Sequence, residues 1–344
     1  MPMVIIVIVN WCGAADTVGC LESLLRLDQE DVSVIVCDNG SNDGSIDTIK
    51  SWADGRIAAD RSGPAWSCLP DQRVRNNFDY EVVTGRKLGE SSGPMPFLTI
   101  VDIGDNLGFA GANNVGIRRA LAWDDTRFVW LLNNDAIVAP TSLGAMLRYC
   151  TADPTIGLCA ATLLHFDQPD QIQALGAIHN RWTARAQVIG LGGDAAKLPS
   201  TETIERQMHL VPGASMFASR PFLETVGPMA DDYFLYFEEA DWMKRMGNRF
   251  RQAYARDAVV YHRGGATIGS SLLGRPSDTS LYYLTRNALL FTIRNDIAVL
   301  PSVFLRVCLD TWRFFVRQDR CGWRTSVSAI YDFLRGRTGK RQPG

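Results

Sequence analysis

The sequence predicts an α/β fold, an open sheet flanked by helices and followed by a C-terminal helical region, and three observations predict it. Val4 to Val9 is a β-branched strand, a helical pattern follows it, and Val32 to Cys37 is a second strand, so the chain opens with a strand, helix, strand unit of the parallel kind. Phe128 to Leu132 is an apolar run without polar alternation, too short for a helix, and reads as a strand buried on both faces. Polar and small residues recur where these strands stop, at Asn10-Trp11-Cys12-Gly13, at Asp38-Asn39-Gly40-Ser41 and at Asn133-Asn134-Asp135. The carboxyl ends of strands are where open α/β sheets bind ligands.

A chain of 344 residues has room for one large α/β domain with an appendage, or for two domains. Apolar and charged fractions of 46% and 21% are those of a globular protein, and a net charge of -2 lacks the dense basic surface that nucleic-acid binding needs. The eight cysteines are scattered without a CxxC pair, which reads as reduced cytosolic thiols rather than a disulfide framework or a zinc site. Val4 to Val9 has neither a basic flank nor a small-residue cleavage site, so it is expected to be a strand and not a targeting segment.

Taken in order, Val18, Leu21, Leu24, Leu25 and Leu27 are spaced for one buried helical face between the first two strands. After Asp38 the spacing predicts a helix from Ile46 to Trp52 with Ser45 as its N-cap. From about 58 to 96 the pattern weakens, with Pro64, Pro70, Pro94 and Pro96 and one apolar piece from Tyr80 to Val83; this is an insertion with minor structure of its own or a lid. Phe97 to Ile103 is a strand, Ala112 to Trp123 a helix, Pro140 to Tyr149 a helix and Ile156 to Leu164 a strand. Hairpins and loops are expected from Asp167 to Glu205. In the apolar run from Met208 to Ala218, Pro212-Gly213-Ala214-Ser215 are small enough to leave room for a substrate. The strand Ala258 to Tyr261 delivers His262, followed by Arg263-Gly264-Gly265.

Several of these residues suit chemistry. Asn133 and Asp135, alternate residues at a strand end, offer hard oxygen ligands to one ion, which suits Mg²⁺ or Mn²⁺; the same residues favour turns for local reasons, and this stretch alone leaves both readings open. Asp38 has a carboxylate able to accept from the N–H of a nucleotide base, or to make an Asx turn. The glycines from Gly104 to Gly116, Gly108 among them, let backbone approach a ligand, and tight helix packing explains them equally well. Glu238, Glu239 and Asp241 follow an aromatic run that should raise at least one carboxyl pKa toward that of a general base, although acids also favour a helix start. His262 is a metal ligand, a phosphate partner or a structural histidine.

The succession Val7-Ile8-Val9-Asn10, Cys37-Asp38-Asn39-Gly40-Ser41, Asn106-Leu107-Gly108-Phe109-Ala110 with Asn114-Val115-Gly116, Leu132-Asn133-Asn134-Asp135, Phe234 to Asp241, His262 and Tyr282 to Asn287 resembles family 2 glycosyltransferases. It is most similar to the rhamnosyltransferase-type branch and its galactofuranosyltransferase relatives, over most of residues 3 to 295. The resemblance implies a GT-A, Rossmann-like mixed sheet, a nucleotide-sugar donor such as a dTDP- or UDP-sugar, a divalent metal and inversion at the anomeric carbon. It implies that Asp38 contacts the base, and that Asn10, Asn106, Gly108, Asn114, Asn133 and Asn134 belong to the nucleotide-sugar pocket. Asp135 and His262 would hold the metal, Glu239 would be the catalytic base and Asp241 the second acid of its motif. Asn133 stands where the family has its first Asp, and Glu239 is one methylene longer than the usual Asp.

The domain reading is a catalytic unit at 1–270, with the insertion at about 58–96, and a helical, aromatic and basic region at 271–344. From Arg306 to Arg341 nine basic residues face three aspartates among Trp312, Phe314, Phe315, Trp323, Tyr331 and Phe333, and no stretch is uncharged for long enough to span a bilayer. This composition predicts helices lying on the cytoplasmic face of the plasma membrane, near a glycan or lipid-linked glycan acceptor of cell-surface polysaccharide assembly; packing on the catalytic unit or in a homo-oligomer is the competing expectation. Two other functions fit the nucleotide pocket. A sugar nucleotidyltransferase would carry a basic Gly-rich loop after the first strand, and Asn10 to Ala15 has no basic residue. A non-catalytic sugar-binding subunit would tolerate Asn133 and Glu239.

Overall fold

A computed structural model describes residues 4–85, 95–264 and 276–342. β1 (Val4–Asn10) is the opening branched run, and α1 (Ala14–Leu24) carries the chain to β2 (Val32–Asp38), parallel to β1 with Val4 opposite Val32 and Asn10 opposite Asp38. α2 (Ser45–Ala53) has Gly44, not Ser45, as its N-cap; Ser45 instead donates its amide and hydroxyl to Asp43 Oδ1. The weakly patterned stretch is tied down. Arg26 donates to the carbonyls of Pro70 and Asp71, Arg73 pairs with Glu22 of α1, and β3 (Tyr80–Thr84) adds a parallel edge to β4 (Leu98–Asp102). Residues 86–94 of this 58–96 insertion, Pro94 among them, lie outside the described residues, as do Gly265 and the expected boundary at 270.

α3 (Gly108–Leu121) starts four residues before Ala112, and β5 (Phe128–Asn133) pairs parallel with β1. Next come β6 (Ala136–Val138), α4 (Ser142–Ala152), β7 (Ile156–His165), β8 (Ile172–Ala174), the hairpin of β9 (Ala177–Asn180) and β10 (Arg185–Val188), and α5 (Thr201–Gln207). Only Ser215 onward of the Met208 to Ala218 run is strand, β11 (Ser215–Ser219), because Pro212 and Gly213 are poor strand residues. α6 (Arg220–Val226), α7 (Glu238–Met246) and β12 (Arg251–His262) complete the unit. β12 begins seven residues before Ala258, its ladder to β7 shifting register between Ala255 and Val259.

The strands order β3-β4-β2-β1-β5-β11-β7-β12-β6, with β8 on β7. The first five are parallel, β11 runs antiparallel to β5 and β7, and β6 antiparallel to β12, so the sheet is mixed. Alternate residues feed two cores: Ile6, Ile8 and Trp130 pack with α1 and α4 on one face, and Ile5, Val7 and Leu131 with α3 and α7 on the other. Strand order reverses at β1, where Asn10 lies opposite Asp38 and Asn133 opposite Val9, at the strand ends where such sheets bind ligands.

α8 (Asp278–Asn295), α9 (Leu300–Val316) and α10 (Arg320–Leu334) form the C-terminal region. Among the described residues no helix is long and apolar enough to cross a membrane. α8 is joined to the catalytic unit: Asn287 Nδ2 donates to the carbonyls of Tyr233, Leu235 and Tyr236, and Arg286 to that of Tyr233.

Candidate active site

Asn133, Asp135 and His262 meet at one point. β5 ends at Asn133, the two-residue turn Asn134-Asp135 leads into β6, and β12 pairs antiparallel with β6 so that His262 lies opposite Ala136. His262 Nε2 is 3.0 Å from Asp135 Oδ1 and 3.1 Å from Asn133 Nδ2. Asp135 is 8% exposed, and its Oδ2 accepts from the Gly264 amide. Burial alone would raise its pKa, but the neighbouring His262 and the amide donors outweigh it and hold the carboxyl below its ordinary value. Among the described residues no three His, Cys, Asp or Glu side chains form a metal-binding cluster. One carboxylate, one imidazole and one amide still match Mg²⁺ or Mn²⁺ sites in which substrate phosphates supply the remaining oxygens.

A cavity of about 60 Å³ opens beside this point, lined by Asp16, Asp60, Trp66, Asp135 and Arg263. Residues 60 to 66 belong to the insertion, so that segment contributes to the site. The Arg263 guanidinium lies 4.1 Å from the Phe166 ring centre and 3.4 Å from Asp16 Oδ1. Burial pushes the Asp16 carboxyl up, against the attraction of Arg263.

Glu239 is linked to this point through residues 213 and 214. An added Cβ on Gly213 would stand 2.1 Å from Glu239 Oε1, so the carboxyl rests against the Gly213 backbone. The next residue, Ala214, accepts at its carbonyl from the Asn133 amide at 3.0 Å. Two consecutive residues thus bridge the base candidate and the Asn133-Asn134-Asp135 turn. The expectation that Gly213 leaves room for substrate is corrected: the room is taken by Glu239. Glu238 is 1% exposed with Oε2 unpartnered. Burial raises both glutamates, and the Glu239 charge pushes Glu238 further.

Other expected site residues are engaged by the fold. Glu239 and Asp241 are two residues apart on α7, about 200° around a helix, so they face opposite ways. Asp241 accepts from Arg245, Tyr233 and Asn295, so its carboxylate is engaged by the fold. Asn114, expected in the nucleotide pocket, spends both ends of its amide on the Met229 backbone. Gly108, φ 75°, has its open side filled by the Phe234 carbonyl, not a ligand. Asp38 is fully buried, its oxygens accepting from Asn10 Nδ2 and the Ser41 amide, so it shapes the loop instead of presenting a free carboxylate. Asn10 also accepts from Thr17, Asn106 accepts from Asn39 and the Gly108 amide, and Asn134 donates to Gly13 and Thr17.

Sequence reading missed Gln173, Arg263, the Gly213 contact and Thr17. Asn287 carried a signal, since it closes the Tyr282 to Asn287 motif. The loop it clamps is unusual: Phe234, Tyr236 and Phe237 all have positive φ, of 68°, 65° and 77°, a conformation that bulky residues rarely adopt and that clusters at functional sites.

No family model matches the chain. An N-acetylglucosaminyl-diphospho-decaprenol L-rhamnosyltransferase of Mycobacterium tuberculosis is 24% identical over 316 residues, covering 84% of this chain and 88% of the relative. Among solved structures, Staphylococcus aureus TarS 1-349 in complex with UDP-GlcNAc is similar with a TM-score of 0.54 at 12% identity, covering 98% of this chain and 82% of that one. The mannosyltransferase PcManGT of Pyrobaculum calidifontis, in complex with GDP-Man and Mn²⁺, gives 0.51 at 15% identity, covering 97% and 75%. Mixed sheet, strand-end motifs and a rhamnosyltransferase relative matched along most of its length agree: this chain is a glycosyltransferase built on the GT-A fold.

Proposed function

We propose that the protein transfers a hexose, rhamnose or a similar sugar, from a dTDP- or UDP-linked donor to a hydroxyl of a lipid-linked glycan, with inversion, in the assembly of a cell-surface polysaccharide. The observation that carries this reading is the bridge just described, with Asn133, Asp135 and His262 at one end and Glu239 at the other. Asp135 and His262 would hold Mg²⁺ or Mn²⁺, which supplies positive charge to neutralise the leaving diphosphate. Glu239, with its raised pKa, takes the proton of the acceptor hydroxyl as that oxygen attacks from the face opposite the leaving group, and a single displacement inverts the anomeric centre. The strained loop and the Gly213 backbone fix where that carboxyl stands.

The acceptor and its location rest on two supports. The relative in Mycobacterium tuberculosis is named for a decaprenol-linked acceptor. On α9, Leu305, Leu309, Trp312 and Val316 share one helical face and are 49–61% exposed; on α10, Trp323, Val327, Tyr331 and Leu334 do the same at 38–67%. Arg313, Arg317, Arg320 and Arg324 stand among them, the mixture that binds an anionic leaflet from its cytoplasmic side.

The test is turnover of purified protein with a panel of dTDP-, UDP- and GDP-sugars, Mn²⁺ and a polyprenyl-diphosphate-linked N-acetylglucosamine acceptor, with the product anomer read by NMR. Glu239→Gln should lose at least a hundredfold in kcat, and EDTA should abolish activity that Mn²⁺ restores. Near-normal turnover by Glu239→Gln, or a product that retains configuration, would overturn the reading.

A further inference from the structure

We propose that Gln173, a residue of β8, is the positioning residue that selects the His262 tautomer and so presents Nε2 to the metal site. Gln173 is 4% exposed and touches His262 twice: its Nε2 donates to the His262 carbonyl at 3.0 Å, and its Oε1 lies 2.7 Å from His262 Nδ1.

The inventory of donors fixes the rest. A backbone carbonyl only accepts, so the nitrogen end of the Gln173 amide must face it. The oxygen end then faces Nδ1, and an amide oxygen only accepts. Nδ1 must therefore carry a proton. The second hydrogen on Gln173 Nε2 points toward His165 Nδ1 at 3.4 Å, consistent with the same orientation. With Nδ1 committed, Nε2 is the nitrogen that faces Asn133 Nδ2 and Asp135 Oδ1. Histidines that bind metals typically donate their other ring N–H to a protein acceptor, which sets ring orientation and basicity.

Local structure explains why a glutamine on this strand can do this. β8 pairs with β7 through Leu163 opposite Ala174 and Leu164 opposite Ile172, and the irregularity between these pairs falls at Gln173. The bulge turns the side chain toward the end of β12. Gly264 leaves the space: a Cβ there would stand 3.2 Å from Gln173 Nε2 and 3.6 Å from the His262 ring, at a φ of 73° that favours glycine.

This inference rests on His262 being a metal ligand for its consequence, but not for the tautomer itself, and the experiment separates the two. ¹⁵N-histidine NMR of the metal-free full chain, with His262 assigned by His262→Gln, should show a proton on Nδ1. In Gln173→Met, which keeps the volume and removes both ends of the amide, the His262 signal should move toward the Nε2-protonated form. Mn²⁺ affinity in the presence of UDP, by isothermal titration calorimetry, should fall tenfold to a hundredfold. Wild-type His262 protonated at Nε2 alone would overturn the inference whether or not the variant folds, as would unchanged tautomer and Mn²⁺ affinity in Gln173→Met. The expected tautomer in a wild type that binds no Mn²⁺ even with UDP present would leave Gln173 as the selector and remove the metal from the proposed function.

Discussion

Gly213→Ala isolates the contact on which base geometry depends. Gly213 has an ordinary backbone conformation that alanine adopts without strain, so the substitution adds one methyl and little else. That methyl would stand 2.1 Å from Glu239 Oε1 and 3.1 Å from its Cδ. Ordinary contact is about 3.5 Å, so the carboxyl must retreat by more than about 1 Å. The Glu239 side chain can do so through its own torsions at a cost of about 1 kcal/mol, so the protein should fold with a melting temperature within a few degrees of wild type. Displacing a reacting group by about 1 Å costs about a hundredfold in rate, equivalent to about 2.7 kcal/mol in the barrier. Steady-state kinetics should therefore show kcat down about a hundredfold with the donor KM little changed, since the Asp135 and His262 side is untouched. In a Glu239→Gln background the same methyl should cost almost nothing more, because both changes act on one group. A folded Gly213→Ala enzyme with kcat within about threefold of wild type would refute the reasoning.

Glu238 gives a pH prediction: its raised folded pKa means that the unfolded chain binds fewer protons, so stability falls as pH rises from the ordinary glutamate value through the folded one. Glu238→Gln should shrink the loss of melting temperature between pH 5 and pH 8; an unchanged pH slope would show that Glu238 is not held neutral. Asn287→Ser should leave two loop carbonyls, those of Leu235 and Tyr236, short of a donor while Arg286 keeps that of Tyr233 satisfied, a loss of about 2 kcal/mol seen in urea unfolding together with a fall in kcat, and unaltered stability would mean that the loop holds itself. Leu309→Glu with Trp312→Glu changes two exposed side chains, so folding should be unaffected while co-sedimentation with anionic vesicles is lost; wild-type protein that stays in the supernatant would remove the membrane from the proposal.

How much of this was legible in the sequence depended on whether the signal was local. β1, β2 and β5 read correctly because strands buried on both faces are continuous branched and aliphatic runs, and their polar ends marked the ligand edge before any pairing was known. β12 was cut short because Arg251, Gln252, Arg256 and Asp257 interrupt its pattern where the ladder slips. The start of α3 is less legible because glycines fit a ligand loop and helix packing equally well; in the fold Gly108 and Gly111 pack closely on Phe234 and Leu107. The partners of Asp241 are not legible in the sequence, because Tyr233 and Asn295 reach it from other segments. Gln173, by contrast, lies 89 positions from His262, and nothing in the spacing of QIQAL marks it.

The C-terminal region was read as an appendage, and the contacts of α8 argue for a different part in the chemistry. Three aromatic residues with positive φ precede Glu238 and Glu239, each at a cost of about 1–3 kcal/mol, so the loop needs outside support to hold that shape. Asn287 and Arg286 supply it through the carbonyls of residues 233, 235 and 236, Tyr283 stacks on Phe234 with ring centres 5.1 Å apart, and Phe291 packs against Phe237. The Phe234 carbonyl in turn accepts from the Phe109 amide at the start of α3. The loop before Glu239, the proposed base, is therefore held between α3 and the first C-terminal helix. If α9 and α10 bind a lipid surface, α8 is the element that joins that surface to Glu239, and docking would act on the placement of the base as well as on access to the acceptor.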